Sequence, residues 1–392
     1  MATLFLKRGR ANPLWQGHPW VYSGAVAREE GTYQPGDVID VADAEGRFIG
    51  RGFINPRSQI RVRMVTTRDE AVDKHLIARR VQEAISLRAR LLMPSTETNA
   101  YRLINSEGDG LPGLVVDVYN DVCAVQFTAL GMKLREIEVY DALSELLKPR
   151  AIVEVSAGGF AQVEGFASAT RAVRGDDGAA SSVRCRENGI QLEVDPLHGQ
   201  KTGMFLDQRE NRRMLGTLAK DARVLDVYTY AGGFALNALK GGAKSATCVD
   251  ASGRALERVR AHAELNGMSA IETIEADAFR FLESARPRSF DIVVLDPPKF
   301  ARARKDLDAA MKGYQRLNAL GMNACSEGAL LATCSCSQLV DGETFERVIA
   351  GAAKDAGRRV QLLEVASQGM DHPVPPAFPE GRYLKFVLCR VV

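Results

Sequence analysis

The chain contains no apolar run of about 18 residues, so the sequence predicts no transmembrane helix. Its opening, Met1 to Arg10, lacks the apolar core of a signal peptide. Cysteine is sparse and odd in number, seven in 392 residues. No Cys-x-x-Cys pair occurs, which argues against both a disulfide framework and a zinc site, and no metal is expected. A chain of this length buries a core without staples, so most of the cysteines read as small buried apolar residues in a reduced, cytoplasmic setting. Charge of one sign is also missing. A net charge of +2 does not mark a nucleic-acid binder, and any such surface has to come from local clustering. The spacing of the glycine turn Ala231-Gly232-Gly233 is not Gly-x-Gly-x-x-Gly, so it carries no dinucleotide fingerprint, and Lys201-Thr202-Gly203 lacks the upstream glycine of an ATP phosphate loop. No internal repeat or low-complexity tract stands out.

What is present reads as three segments, in line with the two or three domains that the length suggests. Residues 1–68 form a small all-β unit. Short β-rich runs at Trp20-Val-Tyr22, Val38-Ile-Asp-Val41, Arg47-Phe-Ile-Gly50 and Gln59 to Val65 are separated by turn signals such as Pro35-Gly36-Asp37. Alternation in the last run puts Arg61 and Arg63 on one strand face. Lys7, Arg8 and Arg10 make a second basic cluster, near His18, Trp20 and Tyr22. Basic groups beside aromatics suit an RNA backbone and unstacked bases. Lys7, Arg8, Arg10, Arg57, Arg61 and Arg63 are therefore the candidate RNA contacts, against the plain alternative of a solvated strand face. Residues 69–190 read as an α+β middle domain. Its helix, from Glu70 to about Leu92, places Leu76, Ile77, Val81 and Ile85 near a 3.6-residue period, with Arg79, Arg80, Arg88 and Arg90 on other faces. Strands, a helix at about 133–147 and a strand at 151–155 follow. Arg102 and Glu107 read there as solvated residues, and 167–182 as a surface loop. Residues 191–392 alternate strands and helices in the doubly wound α/β pattern, with an antiparallel edge close to the C-terminus.

The last segment carries the chemistry. The strand Val224 to Tyr228 with Asp226 near its carboxyl end, followed by Ala231-Gly232-Gly233 and a helix, makes a crevice for a nucleotide-like ligand. The shorter glycine turn suits a ligand with no pyrophosphate, such as S-adenosylmethionine. Asp250 ends the second strand, placed to accept from ribose hydroxyls. Asp277-Ala278-Phe279 follows the third, where a carboxylate can meet the adenine amino group. Asp296-Pro-Pro-Lys-Phe300 follows the fourth, with two prolines fixing the backbone. Each acidic strand end is weak alone, and four in register are strong. The cofactor set is thus Lys201, Thr202 and Phe205 from a polar loop ahead of the first strand, then Asp226, Tyr228, Tyr230, Gly232, Asp250, Ala251, Asp277, Ala278 and Asp296.

Asp-Pro-Pro followed by an aromatic is the pattern of amino-group methyltransferases, but Lys299 occupies that place and cannot stack on an adenine. Thr333-Cys-Ser-Cys-Ser337 ends the fifth strand beside the same crevice. Carbon 5 of cytosine does not attack a methyl donor unaided. A thiolate added to carbon 6 makes it enamine-like, and thiolates are nucleophilic near neutrality. Cys336, past the strand end, is the candidate nucleophile, Asp296 the group acting at ring nitrogen 3, and Lys299 a third catalytic candidate. Cys334 reads as a strand residue.

Two resemblances bear on this. His18-Pro-Trp-Val-Tyr-Ser-Gly24, Pro35-Gly-Asp37 and Gly50-Arg-Gly-Phe53 resemble a PUA domain, an RNA-binding β-barrel. The segment His198–Arg209, the turn ending Tyr-Ala-Gly-Gly-Phe234, Asp296-Pro-Pro-Lys-Phe300, Ser335-Cys-Ser337, Asp371-His-Pro373 and Pro379 to Lys385 together resemble the bacterial 23S ribosomal RNA cytosine-5 methyltransferase family, end to end. The resemblance implies a PUA-like barrel, an α+β middle domain and a C-terminal class I methyltransferase domain. It implies S-adenosylmethionine as cofactor and, as partner, 23S rRNA or a large-subunit assembly intermediate. It also implies Cys336 as nucleophile, although Cys334 resembles the corresponding segment of other RNA cytosine-5 enzymes and the two assignments can be exchanged. An amino-group RNA methyltransferase and a non-catalytic ribosome-assembly factor are the competing readings. Oligomeric state is open, with a homodimer one alternative, and no membrane partner is expected.

Overall fold

The computed structural model describes residues 1–392 other than Gln200, Lys201 and Arg302. The chain divides into two compact units. The first comprises Met1–Arg186, Glu193–Leu206 and Met370–Gly381, and the second Glu187–Leu192, Asp207–Gly369 and Arg382–Val392.

The first unit holds two sheets. In the N-terminal one, strands lie in the order Trp20–Tyr22, Ile60–Thr66, Phe48–Ile54, Val38–Ala42, Thr3–Leu6, Val26–Glu30. Leu4, Leu6, Val21, Ile39, Val41, Ile49, Ile54 and Val62 form its core. Two of these strands, Thr3–Leu6 and Val26–Glu30, carry no legible alternation. The first is four residues long, and the second, Val-Ala-Arg-Glu-Glu, is almost wholly exposed and is held by pairing to Thr3–Leu6.

The second sheet has the order Arg171–Arg174, Ala151–Glu154, Val122–Phe127, Leu114–Tyr119, Ala100–Asn105. Helix Lys74–Arg90 starts where the Asp73 side chain accepts from the backbone N–H groups of His75 and Leu76, which satisfies donors that the first turn leaves unpaired. Its Leu76, Ile77, Val81 and Ala84 pack with Val116, Val118 and Leu143 in one core. Two expectations are corrected here. The stretch 167–182 is not simply a loop: Arg171–Arg174 pairs antiparallel with Ala151–Glu154, and Asp177–Ser181 is a short helix. Arg88 does not lie on an exposed helix face but is 1% exposed. Its guanidinium donates to both oxygens of Asp109 and to the carbonyls of Arg102 and Asp371.

The second unit is built on seven strands: β1 Arg223–Val227, β2 Ser245–Asp250, β3 Ile271–Glu275, β4 Phe290–Leu295, β5 Cys325–Ser335, β6 Val360–Ala366 and β7 Lys385–Val391. Helices α1 Arg209–Thr217, α2 Gly233–Lys240, α3 Gly253–Leu265, α4 Ala278–Ser284, α5 Leu307–Ala324 and α6 Gly342–Asp355 accompany them. The sheet order is β3-β2-β1-β4-β5-β7-β6. The first five strands are parallel, and β7 runs antiparallel to both of its neighbours. Alternation explains the apolar runs. Val224, Ile292, Val294, Ala332 and Phe386 face one core with Leu215, Phe234 and Val259. Leu225, Val227, Val293, Leu295 and Leu331 face the other with Tyr314, Leu317 and Phe345. A strand covered on both faces has no polar side to show. The carboxyl ends of β1, β2, β3, β4 and β5 all open on one edge of the sheet, and the order reverses between β1 and β4, the position where such sheets hold ligands.

Candidate active site

At the end of β1, Asp226 is 1% exposed. One oxygen accepts from Thr229 Oγ1 at 2.7 Å and from the Ala235 backbone N–H at 3.1 Å. The other, Oδ1, has no hydrogen-bond partner among the described residues. Burial pushes this carboxyl up to about 7, against the pull of those hydrogen bonds, and the charge of Asp296 adds to the rise.

The turn after β1 is wound in the left-handed region. Tyr228 has φ 62°, Tyr230 φ 51° and Gly232 φ 82°. Non-glycine residues rarely adopt this conformation, and it collects at functional sites. The turn is pinned from the end of β2, where Asp250 Oδ2 accepts from the Tyr230 backbone N–H at 3.0 Å and the Val249 carbonyl from Thr229 N–H at 3.2 Å. Asp250 Oδ1 accepts from Ser252 N–H, and Ala251 between them is exposed. After β3, Asp277 caps α4 through the Arg280 N–H, Ala278 is buried, and Phe279 lies 6.4 Å from Phe300 between ring centroids. Phe300 in turn stacks on Tyr314 at 4.5 Å.

At the end of β4, Asp296 Oδ2 accepts from Gln208 Nε2 at 3.1 Å. The same amide nitrogen lies 3.3 Å from Cys334 Sγ. The Gln208 carbonyl oxygen accepts from Asn211 Nδ2 at 2.7 Å, so this buried side chain is fixed from both ends. Pro298 and Lys299 are exposed.

The two candidate cysteines separate clearly. Cys334 lies within β5, fully buried in the core formed with Phe234 and Phe386. Burial drives its thiol well above the ordinary range, and the Asp296 carboxylate adds to this. Cys336 follows the end of β5 and is partly exposed, whereas the other six cysteines are buried. The backbone around it is braced, with Tyr314 OH 3.2 Å from Ser337 Oγ and the Ser337 carbonyl accepting from Lys385 Nζ at 2.6 Å.

Other expected residues sit elsewhere. Lys201 lies outside the described residues. Thr202 and Phe205 belong to the first unit. The Thr202 hydroxyl donates to Asp117 and lies 3.5 Å from Tyr119 OH, so it is committed to the middle sheet instead of being presented to a ligand. Among the basic residues, Lys7, Arg8, Arg10 and Arg57 are exposed. Lys7 Nζ donates to the Gly24 carbonyl, and Arg8 approaches Glu45 at 3.6 Å. Arg61 is partly buried, 3.6 Å from Glu29. Arg63 overturns its expectation. It is 9% exposed, pairs with Glu107 at 3.0 Å and Glu164 at 3.5 Å, and lies over the Trp20 ring. Its charge is spent inside the fold. Glu107 and Arg102 are likewise structural and not solvated: Glu107 also accepts from Trp20 Nε1, and Arg102 is paired with the buried Asp117.

Sequence reasoning passed over Gln208, Tyr314 and Lys385 as individual residues. The first lies in the His198–Arg209 segment and the last in Pro379 to Lys385, so the only signal for either was membership of a motif.

Comparison with known proteins bears on both ends of the chain. Residues 4–67 match a PUA-like domain and residues 168–358 an S-adenosylmethionine-dependent methyltransferase. The Ribosomal RNA large subunit methyltransferase I of Alteromonas mediterranea is 40% identical over 100% of this chain and 99% of its own length. The protein of the same name from Escherichia coli is 39% identical over 99% of each. Two solved structures share the fold at 22% identity, each covering 100% of both chains. One is a SAM-dependent methyltransferase from Streptococcus mutans with a TM-score of 0.85, the other a methyltransferase complexed with SAH with a TM-score of 0.86. With an intact PUA-like sheet, a class I methyltransferase sheet and relatives matched over their whole length, the chain belongs to the S-adenosylmethionine-dependent ribosomal RNA large subunit methyltransferase I family.

Proposed function

We propose that the chain methylates carbon 5 of a cytosine in large-subunit ribosomal RNA, through a covalent adduct on Cys336. One observation carries the choice of residue: of seven cysteines, six are buried and Cys336 alone is partly exposed, at the strand end next to the one bearing Asp296. Cys334 is a poor nucleophile by the same measure, because a thiol sealed in an apolar core resists ionisation.

The residues present fit the methyl donor. When bound, S-adenosylmethionine supplies a methyl group on a sulfonium, along with an ammonium, a ribose and an adenine. The unsatisfied Asp226 Oδ1 is an acceptor of the kind that the ammonium requires, since a buried carboxylate oxygen without a donor is costly. Asp250 keeps lone pairs for ribose hydroxyls. Asp277 and Ala278 stand at the adenine end, with Tyr228, Tyr230, Gly232 and Ala251 shaping the wall. Gly232 matters for its lack of a side chain: a Cβ there would come within 3.2 Å of Val259.

The chemistry then falls to two side chains. Cys336 Sγ, as thiolate, bonds to carbon 6 of the ring, and the carbon 5–carbon 6 π pair moves onto carbon 5. Asp296, oriented by Gln208 and entering this step as the carboxylic acid, gives its proton to ring nitrogen 3 as negative charge develops there and takes it back when the thiolate leaves. Carbon 5 would then take the methyl group as its bond to the donor's sulfonium sulfur breaks, the bonding pair staying on that sulfur. Loss of the carbon 5 proton to solvent water then restores the double bond and expels the thiolate. Lys299, exposed beside this edge, is proposed to contact the substrate.

The test is methyl transfer from labelled cofactor to 23S rRNA isolated from cells lacking the protein, with nucleoside mass spectrometry of the product. The expected product is 5-methylcytosine. Cys336→Ala should lose turnover by at least about 10³-fold with cofactor binding intact, and Cys334→Ala should stay active. An N-methylated purine as product, retained by a double cysteine variant, would replace this reading with amino-group transfer.

A further inference from the structure

Lys385 opens β7, which pairs antiparallel with β5 so that Lys385 stands opposite Ser335. Its side chain is buried, and its ammonium donates to the carbonyls of Ser337 at 2.6 Å and Tyr383 at 2.7 Å. The first of these carbonyls belongs to the residue immediately after Cys336. Both bonded partners are neutral, and Lys385 has no carboxylate within ion-pairing distance among the described residues. A buried cation normally has a counter-charge, because removing it from water is costly. We propose that Lys385 is a positioning residue whose buried ammonium holds the Cys336 sulfur as thiolate, ready for attack. This rests on the reading of Cys336 as nucleophile and adds to it the source of its activation.

The surrounding charges fit. Burial lowers the Lys385 ammonium from 10.5 to about 8, and an ionised Cys336 would be the strongest neighbouring charge acting on it, raising it. Lys299 opposes the ammonium, and Asp341, which caps α6, supports it. Tyr314 on α5 faces Cys336 as well, and burial keeps its hydroxyl protonated. Asp296 stands at the neighbouring strand end, and Cys334, buried within β5, interacts electrostatically with both Asp296 and Cys336. Near neutrality Lys385 is therefore still mostly charged. The thiol proton of Cys336 passes to solvent water, and the negative charge left on sulfur is balanced by the ammonium. No oxidant or other co-reactant takes part.

The experiment follows iodoacetamide alkylation of Cys336 in the full-length protein against pH, with fragment sequencing to separate it from Cys334, beside the kinetics of methyl transfer. Lys385→Met should slow alkylation at pH 7 by about tenfold or more, equivalent to a pKa rise of at least about one unit. It should lower kcat by a similar factor while changing the KM for cofactor by less than about twofold. Lys385→Arg, which keeps the charge, should recover most of both. A folded Lys385→Met protein that alkylates at the wild-type rate would overturn the proposal, as would equal losses in the Met and Arg variants. Should Lys385→Met fail to fold, the wild-type protein decides: a midpoint well below the free-thiol value of about 8.5 supports the proposal, and one at or above it refutes it. Full activity in Cys336→Ala would sink the nucleophile reading, while alkylation still judges Lys385 on its own.

Discussion

Asp226 shows what it costs to bury a carboxyl at a strand end. Its folded-state value of about 7 lies above the ordinary 3.8. The native state therefore binds a proton more tightly than the unfolded chain between those limits. The resulting stabilisation is complete below about 3.8 and is lost as pH rises through about 7. Asp226→Asn removes the titration. Without cofactor, its melting temperature relative to wild type should climb between pH 5 and pH 8, by more than about 2 °C, while cofactor affinity falls. Parallel curves across that range would show that the carboxyl is not strained by burial.

At the level of elements, the turn joining β1 to α2 concentrates the strain. Gly232→Ala places a Cβ at φ 82°, facing Val259. It should cost about 1–2 kcal/mol, seen as a few degrees in Tm, and weaken cofactor binding more than it weakens RNA binding. Equal losses of both would point to general unfolding instead. This turn and the four acidic strand ends were legible in the sequence, because β1 and β4 are buried apolar runs with a carboxylate at or just past the end, and β2 and β3 are followed by or end at one as well. Much of the rest was hidden for a physical reason. Arg63, Arg88 and Lys385 are charged residues that the fold buries, and pattern alone assigns charged residues to the surface. Their partners are remote in sequence: Glu107 and Glu164 are 44 and 101 residues from Arg63, and Ser337 is 48 from Lys385. Strand Val26–Glu30 was illegible for the opposite reason, since pairing alone holds it and it buries little.

For the molecule as a whole, we propose that the N-terminal sheet recognises RNA, and the basic residues there divide by exposure. Arg57→Gln should reduce the salt slope of RNA binding by about 0.7–0.9 and leave stability unchanged. Arg63→Gln should do the reverse, costing about 3–5 kcal/mol by stranding two buried carboxylates with little direct effect on the slope. Salt titrations of RNA binding, paired with denaturant melts, measure both; exchanged outcomes would move the RNA-contacting face. The central claim, that a Cys336 thiolate adds to cytosine, has a more direct test. In 23S rRNA transcribed with 5-fluorocytidine, the adduct accepts its methyl group but has no proton on carbon 5 to lose, so sulfur stays bonded to the base. The account predicts a denaturation-stable, cofactor-dependent protein–RNA complex whose cross-linked peptide is modified at Cys336. Efficient methylation of ordinary 23S rRNA with no such complex, or a cross-link at Cys334, would contradict it.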